Sequence, residues 1–261
     1  VPGYGKLLPL IRETLSHGII IAAQSQDDAD RFLSLGANPS RTCVMGNIKY
    51  DVEPDSGVRD VAAVTRRELF GERPVWIAAS THEGEEQLVL DVHRDLLARH
   101  PDLLLVLVPR HPERFAAVRE LIEKRDMTVI SRTEQRPAGD AAVFLCDTMG
   151  EVPLFYAASD VAFVAGSLVP IGGHNLLEPA AFGVPVITGP HNFNSQDIAD
   201  LFESLGACRI VSGTDELADV VSELLTDSEE ADRLGRAGQK VLEDNRGALE
   251  RLLVLLEPLL Q

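Results

Sequence analysis

Cysteine is scarce in this chain of 261 residues: Cys43, Cys146 and Cys208 stand far apart, and none has metal-ligand spacing. An odd, dispersed set suits neither a disulfide framework nor a zinc site. Each lies in or beside an apolar, strand-like run, so buried thiols in a reducing cytosol are expected. No apolar run approaches the ~18–20 residues that a membrane span needs. The longest, Leu103 to Val108, has the length of a strand. Basic charge is also short, with 24 Lys and Arg against 41 Asp and Glu and a formal net charge of −17. That disfavours nucleic acid, whose binding rests on basic surfaces releasing counterions. It equally disfavours docking of this chain alone on an anionic membrane. An anionic ligand needs a local positive pocket, and Arg110, His111 and Arg114 are the best candidates. There is no Ser-His-Asp set, no zinc-ligand cluster, no Gly-Lys-Ser phosphate loop, no internal repeat and no low-complexity segment. No metal is implied. The chain opens at Val1 without initiator Met, signal peptide or basic leader, which reads as a piece of a longer protein.

What is present is an alternation of two signals. Apolar runs occur at Val75–Ala79, Leu103–Val108, Met127–Ile130, Ala142–Cys146, Val161–Ala165, Val184–Thr188 and Cys208–Val211. Helical periodicity fills the gaps, at Glu85–Arg99, Pro112–Lys124, Val152–Ala158, Asn175–Phe182, Ser195–Leu205 and Asp215–Leu225. Continuous apolar runs indicate strands buried on both faces, as in a doubly wound, Rossmann-like parallel sheet of the α/β class. Ligands of such sheets sit beyond the carboxyl ends of the strands. The first fifty residues stand apart, with strands at Gly18–Ala23 and Thr42–Met45 around a helix at Gln26–Leu35. Asn47 to Gly57, with Pro54 and Asp55, reads as a linker, and Glu229 to Leu260 as two helices broken near Asn245–Gly247.

The most informative stretch runs from Gly166 to Pro190. An apolar run feeds a turn with paired glycines, Gly172 and Gly173, a helix starts near His174 or Asn175, and a second apolar run follows. Strand, glycine turn and helix can aim backbone N–H groups at an anion, usually phosphate. Glu178, about one turn into the helix, can accept two hydrogen bonds from a ribose diol, or it can form a capping box with Asn175. Capping alone does not account for the double glycine, the His and the following Gly-Val-Pro. Ser80, Thr81 and His82 open a helix after the first strand of the sheet and are candidates for a phosphate or sugar carboxylate. Glu83, Glu85 and Glu86 load its first turn; there they complement the helix dipole, and Glu85 and Glu86 are expected to be solvated. Arg110 and His111, between Pro109 and Pro112, follow another strand, where a guanidinium can pair bidentately with phosphate or carboxylate. Arg114, one turn on, could equally be solvated. Asp147 to Glu151 forms a strand-to-helix connection with Asp147 or Thr148 as N-cap. His191, Asn192 and Asn194 could touch a sugar or could form turns.

Taken together, Gly166-Ser-Leu-Val-Pro-Ile-Gly-Gly-His-Asn-Leu-Leu-Glu-Pro179, Gly189-Pro-His-Asn-Phe-Asn194, Gly46-Asn-Ile-Lys-Tyr-Asp51, Ala79-Ser-Thr-His-Glu-Gly-Glu-Glu86, Val108-Pro-Arg-His-Pro-Glu-Arg-Phe115 and Asp147-Thr-Met-Gly-Glu151 resemble the 3-deoxy-D-manno-octulosonic acid (Kdo) transferases of the GT-B glycosyltransferases. The resemblance covers nearly the whole chain. It implies transfer of Kdo from CMP-Kdo to a lipid A precursor in lipopolysaccharide biosynthesis, with inversion at the anomeric centre. The setting it implies is the cytoplasmic face of a Gram-negative inner membrane, with no cofactor beyond the donor substrate. Residues 1–50 would be a remnant of the N-terminal acceptor domain, 51–57 a linker, 58–228 the donor-binding domain and 229–261 helices returning to the N-terminal domain. Gly172, Gly173, His174 and Asn175 would hold the phosphate, Glu178 the ribose, and Arg110, with His111 beside it, the phosphate or the Kdo carboxylate. Ser80, Thr81 and His82 would meet the donor, and Met149, Gly150 and Glu151 would abut cytosine and ribose. The general base is expected on a carboxylate of the N-terminal domain, and no residue here matches its motif, so the catalytic residue is unassigned. Two alternatives stay open: another GT-B enzyme using a UDP-sugar, as a transferase or 2-epimerase, and a nucleotide-binding module without catalysis.

Overall fold

The computed structural model describes residues 8–16, 18–53 and 57–259. The chain divides into two compact units, one of Glu53–Val241 and one of Val1–Val52 with Leu242–Gln261. The smaller contains α1 (Leu8–Ser16), β1 (Ile21–Ala23), α2 (Gln26–Ser34) and β2 (Thr42–Val44), with β1 and β2 paired in parallel. Ser25 begins α2 by accepting the Asp28 amide on its side chain, satisfying a donor the helix cannot.

The larger unit holds α3 (Val58–Thr65), β3 (Val75–Thr81), α4 (Glu85–Arg99), β4 (Leu104–Pro109), α5 (Phe115–Glu123), β5 (Val129–Ser131), β6 (Val143–Leu145), α6 (Val152–Ala157), β7 (Val161–Val164), α7 (Leu177–Phe182), β8 (Val186–Thr188), α8 (Gln196–Ser204), β9 (Cys208–Ile210) and α9 (Thr214–Thr226). Next come α10 (Ser228–Asn245) and α11 (Ala248–Leu256). The compact division falls after Val241, inside α10, rather than at Glu229. In the smaller unit Asp51 accepts the Gly247 and Leu249 amides at the start of α11, where a carboxylate complements both the free N–H groups and the helix dipole. Arg251 on the same helix donates to the Met45 carbonyl.

The seven strands β5-β6-β4-β3-β7-β8-β9 form one parallel sheet. Trp76 and Ala78 of β3 enter a core with residues of α4, α5 and α9 on one face. Val75, Ile77 and Ala79 enter the other core, with residues of α3, α6 and α7. Successive side chains of a strand point to opposite faces, so a run apolar at every position requires cover on both. Each of the seven apolar runs coincides with one strand: β6, β7, β8 and β9 lie within their runs, while β3, β4 and β5 continue one or two residues past the C-terminal ends of theirs. Two helices escaped the periodicity reading, α1 and α3. In α3 the valines Val61 and Val64 are exposed while Ala62 is buried, so its apolar residues do not mark its inner face. Residues 54–56, the middle of the expected linker, lie outside the described residues. Cys146 and Cys208 are buried as expected, but Cys43 is only half-buried because β2 is half-exposed along its length.

A buried histidine ties the sheet to α4. Trp76 donates its indole N–H to His93 Nδ1 at 3.2 Å, which leaves Nε2 to carry the proton and donate to the Ala142 carbonyl at 2.8 Å. Burial pushes the imidazole from 6.5 down to about 4, so it folds neutral. The unfolded chain binds this proton below its ordinary value and the folded chain does not. The contribution is therefore complete above 6.5 and is lost as pH falls from there to about 4. At ~1.4 kcal/mol per unit the loss is on the order of 3 kcal/mol. Urea unfolding followed by the single tryptophan should show a smaller loss of stability between pH 7 and 4.5 in His93→Gln than in the wild type. Equal losses in the two proteins would mean that His93 does not carry this acid limb.

Candidate functional site

The chain leaves β3 toward β4 on one side and later returns to lay β7 against the other side. The crevice beyond the carboxyl ends of β3 and β7 is thus the switch point of the sheet, where two connections diverge and leave room for a ligand. Ser80 sits at its rim with φ of +64°, in a bulge between Ala79 and Thr81. A serine in the left-handed region marks strain of the kind that gathers at functional edges. Thr81 is fully buried, and its hydroxyl has no hydrogen-bond partner among the described residues. The side chain expected to meet a ligand is thus sealed from solvent.

Glu85 and Glu86 depart most from the sequence reading. Both are 0% exposed. Glu85 Oε2 accepts the Gly166 amide at 2.7 Å, and Oε1 accepts the Ser167 and Leu168 amides at 3.0 Å each. Burial raises its pKa and these backbone bonds oppose the rise. Glu86 takes a bidentate contact from Arg114, Nε at 3.0 Å and Nη2 at 3.3 Å, and Arg114 also pairs with Glu83. Arg114 is therefore neither solvated nor a free cation of the pocket. The helical pattern held a sign of this burial, since Glu85 stands in register with the buried Val89, Val92 and Leu96.

The paired glycines serve a different purpose from the one expected. The Gly172 and Gly173 amides both donate to the Gly166 carbonyl, at 3.1 and 2.8 Å, and are not offered to a ligand. Their φ angles are +111° and +73°. A side chain at Gly172 would strike Asn194 and Phe193, and one at Gly173 would strike Asn192 Oδ1 at 2.5 Å. Close approach of the 191–194 segment therefore requires both. Among the described residues, it is the next amides, of His174, Asn175 and Leu176, that have no acceptor. Asn192 is buried, bonded to Thr188 and to the Gly189 carbonyl, while Asn194 is tied to Gly172 and Ile171. These asparagines shape the turn.

His174 itself belongs to a cluster of imidazoles. His82 Nε2 and His174 Nε2 are 2.8 Å apart with their rings stacked, and His111 meets His82 edge-on at 5.3 Å. One of the two Nε2 atoms must carry a proton and the other must not. Burial, then His82, Arg110 and His111, push His174 down to about 4. Burial, then His111, Arg110 and Arg114, lower His82. Arg110 is exposed, and its guanidinium has no ion-pair partner among the described residues, although Glu178 feels its charge. Glu178 is raised by burial, offset by a 3.3 Å hydrogen bond from Asn175 Nδ2 and by Arg110. Asn175 Oδ1 accepts the Leu177 amide at 3.2 Å, so Asn175 makes a side-chain turn just before the short α7, whose N-cap is Leu176, and also orients Glu178. Glu178 does not reach back to a backbone amide as a capping box requires.

Met149, Gly150 and Glu151 occupy the same sheet edge, after β6, two strands from β3. Met149 is 57% exposed, and Gly150 has φ of +82°. Glu151 pairs with Arg132 and accepts from Thr148, and Asp147 accepts the Thr133 amide and hydroxyl. The structure joins His82, Arg110, His111, His174, Asn175 and Glu178 in one crevice; no hydrogen bond or ring contact ties residues 149–151 to them among the described residues.

Residues 72–241 match the family glycosyl transferases group 1, and residues 1–52 match the family 3-deoxy-D-manno-octulosonic-acid transferase (kdotransferase). The chain is 46% identical over 260 residues to the 3-deoxy-D-manno-octulosonic acid transferase of Haemophilus influenzae, covering 99% of this chain and 61% of that protein. It is 34% identical to the transferase of Bordetella pertussis, over 97% of this chain and 59% of the other. It thus spans about three-fifths of the length of these relatives. Among solved structures it resembles the C-terminal CMP-Kdo binding domain of WaaA from Acinetobacter baumannii, with 36% identity and a TM-score of 0.67, over 71% of this chain and 97% of that one.

An anion entering this crevice should reverse the balance that keeps His174 neutral, because opposite charge favours the protonated ring. The Hε1 resonance of His174 should titrate near 4 in the free protein and at least one unit higher with saturating CMP. An unchanged titration would place the bound anion elsewhere.

Proposed function

Because the chain belongs to the group 1 glycosyl transferases and, within them, to the Kdo transferase family, we propose that it is the donor-binding part of an enzyme that moves Kdo from CMP-Kdo to a lipid A precursor. The observation that carries this reading is the set of acceptor-free amides at His174, Asn175 and Leu176, beside the unpaired Arg110 and one turn before Glu178. The three amides and Arg110 receive the donor phosphate, Glu178 the ribose diol, and Met149 to Glu151 the base. Gly172 and Gly173 act by shaping the turn. Ser80, His82 and His111 border the phosphate and the Kdo carboxylate.

The chemistry asked of these groups is electrostatic. When the bond from the anomeric carbon to the phosphate oxygen breaks, the electron pair goes to that oxygen and the phosphate gains negative charge. Fixed N–H donors and a guanidinium stabilise that charge without reorganising. The His82–His174 pair adds positive charge as protonation becomes favourable beside the dianion. The acceptor hydroxyl needs a base for its proton, assigned here to the N-terminal domain along with acceptor recognition and association with the cytoplasmic face of the inner membrane. On this reading the 261-residue chain binds CMP and transfers no Kdo.

Calorimetric titration tests the assignment. CMP should bind more tightly than UDP. Glu178→Gln keeps the hydrogen bond from Asn175 but removes the charge that receives the ribose, and a charge-assisted bond is worth ~1.5–3 kcal/mol. CMP should bind roughly tenfold more weakly or worse to this variant, at 1.4 kcal/mol per decade, with the melting temperature barely changed. Preference for UDP would favour a UDP-sugar enzyme. Unchanged affinity in the Gln variant would remove Glu178 from the ribose.

A further inference from the structure

Glu85 is absent from the donor contacts proposed above, and its carboxylate is sealed from solvent. We propose that Glu85 is a positioning residue of the donor site: its clamp on the Gly166, Ser167 and Leu168 amides fixes the double-glycine turn that presents the amides of His174 to Leu176. This inference rests on the donor-binding reading.

A trans peptide holds its N–H and C=O on opposite sides. The Ser167 N–H is held by Glu85 Oε1 at 3.0 Å, so the Gly166 carbonyl of the same peptide must face the other way. There it accepts both the Gly172 and Gly173 amides. Those bonds close the loop on itself and consume the two glycine amides, so that the first amides free to meet an anion are those of His174, Asn175 and Leu176. Glu85 also reaches the His82 amide at 3.4 Å, tying the loop after β3 to the loop after β7 across the crevice. The ring of His174 lies against Gly166, where an added Cβ would stand 2.9 Å from Cδ2. A shift of the Gly166 backbone therefore displaces that imidazole as well. Only a carboxylate suits this position, because both oxygens face N–H donors. In Glu85→Gln one oxygen becomes an NH2 group directed at other donors, and one side of the clamp opens. In Glu85→Asp both acceptors remain, one methylene short of the loop.

Amide hydrogen exchange reads the clamp without any ligand. In Glu85→Gln the Gly172 and Gly173 amides should exchange at least roughly tenfold faster than in the wild type, since the free energy of local opening falls. Calorimetry reads its consequence: CMP affinity should drop by roughly tenfold or more. His93→Gln, a buried substitution far from the crevice, lowers stability without altering CMP affinity and separates positioning from general weakening. Should Glu85→Gln fail to fold, Glu85→Asp is measured in its place, with the same direction expected. Wild-type protection at Gly172 and Gly173, or wild-type CMP affinity in the folded variant, would overturn the positioning role while leaving the donor site standing. Failure of the wild type to bind CMP would remove the donor reading and this inference together.

Discussion

Helices cover both faces of the seven-stranded sheet, and that double cover governs where this molecule can do chemistry. Strand residues are committed to two cores, so polar groups can gather only where strands end. At the carboxyl end, β3 and β7 are neighbours whose following chains run apart, and the gap between them is the crevice. The acidic surface matters less than this local geometry. On the proposed reading, a chain with a net charge of −17 meets its anion through three acceptor-free amides, an exposed guanidinium without an ion-pair partner among the described residues, and a group of imidazoles.

The distribution of charge around that depression separates support from contact. Glu85 and Glu86 are buried acids whose partners are backbone amides and Arg114, and they hold the loops in place. Arg110 has no ion-pair partner among the described residues, and Glu178 takes a side-chain bond from Asn175; on the proposed reading these two act on the ligand. Burying an acid is costly unless its hydrogen bonds are complete, and the clamp by Glu85 meets that condition with bonds of 2.7 to 3.0 Å. The turn that leaves the amides of His174 to Leu176 without an acceptor is in this sense held by a buried side chain.

Much of this was legible in the sequence. Runs such as Leu103–Val108 identify themselves because a parallel strand buried on both faces is apolar at every position. The grouping of Ser80, Arg110 and Gly173 at one edge follows from their places after separate strands. Glu85 was misread because an acid in the first turn of a helix looks the same whether it is solvated or locked onto a loop more than eighty residues away. Its register with Val89, Val92 and Leu96 was the available clue. The double glycine reads in sequence as a phosphate cradle, yet in the structure both of its amides are bonded to the Gly166 carbonyl. Its amides close the turn, and what demands glycine is the approach of Phe193, Asn192 and Asn194, which no local pattern announces. The burial of Thr81, beside the register shift between Ala79 and Thr81, was hidden for the same reason.

On the proposed reading the amides after the double glycine, and not those within it, receive the phosphate. Backbone amide resonances followed during a CMP titration test it directly, with cytidine as the control that lacks phosphate. Downfield shifts are expected at His174, Asn175 and Leu176 with CMP alone, and little change at Gly172 and Gly173, which stay bonded to the Gly166 carbonyl. Shifts centred on Gly172 and Gly173, or equal responses to CMP and cytidine, would contradict it.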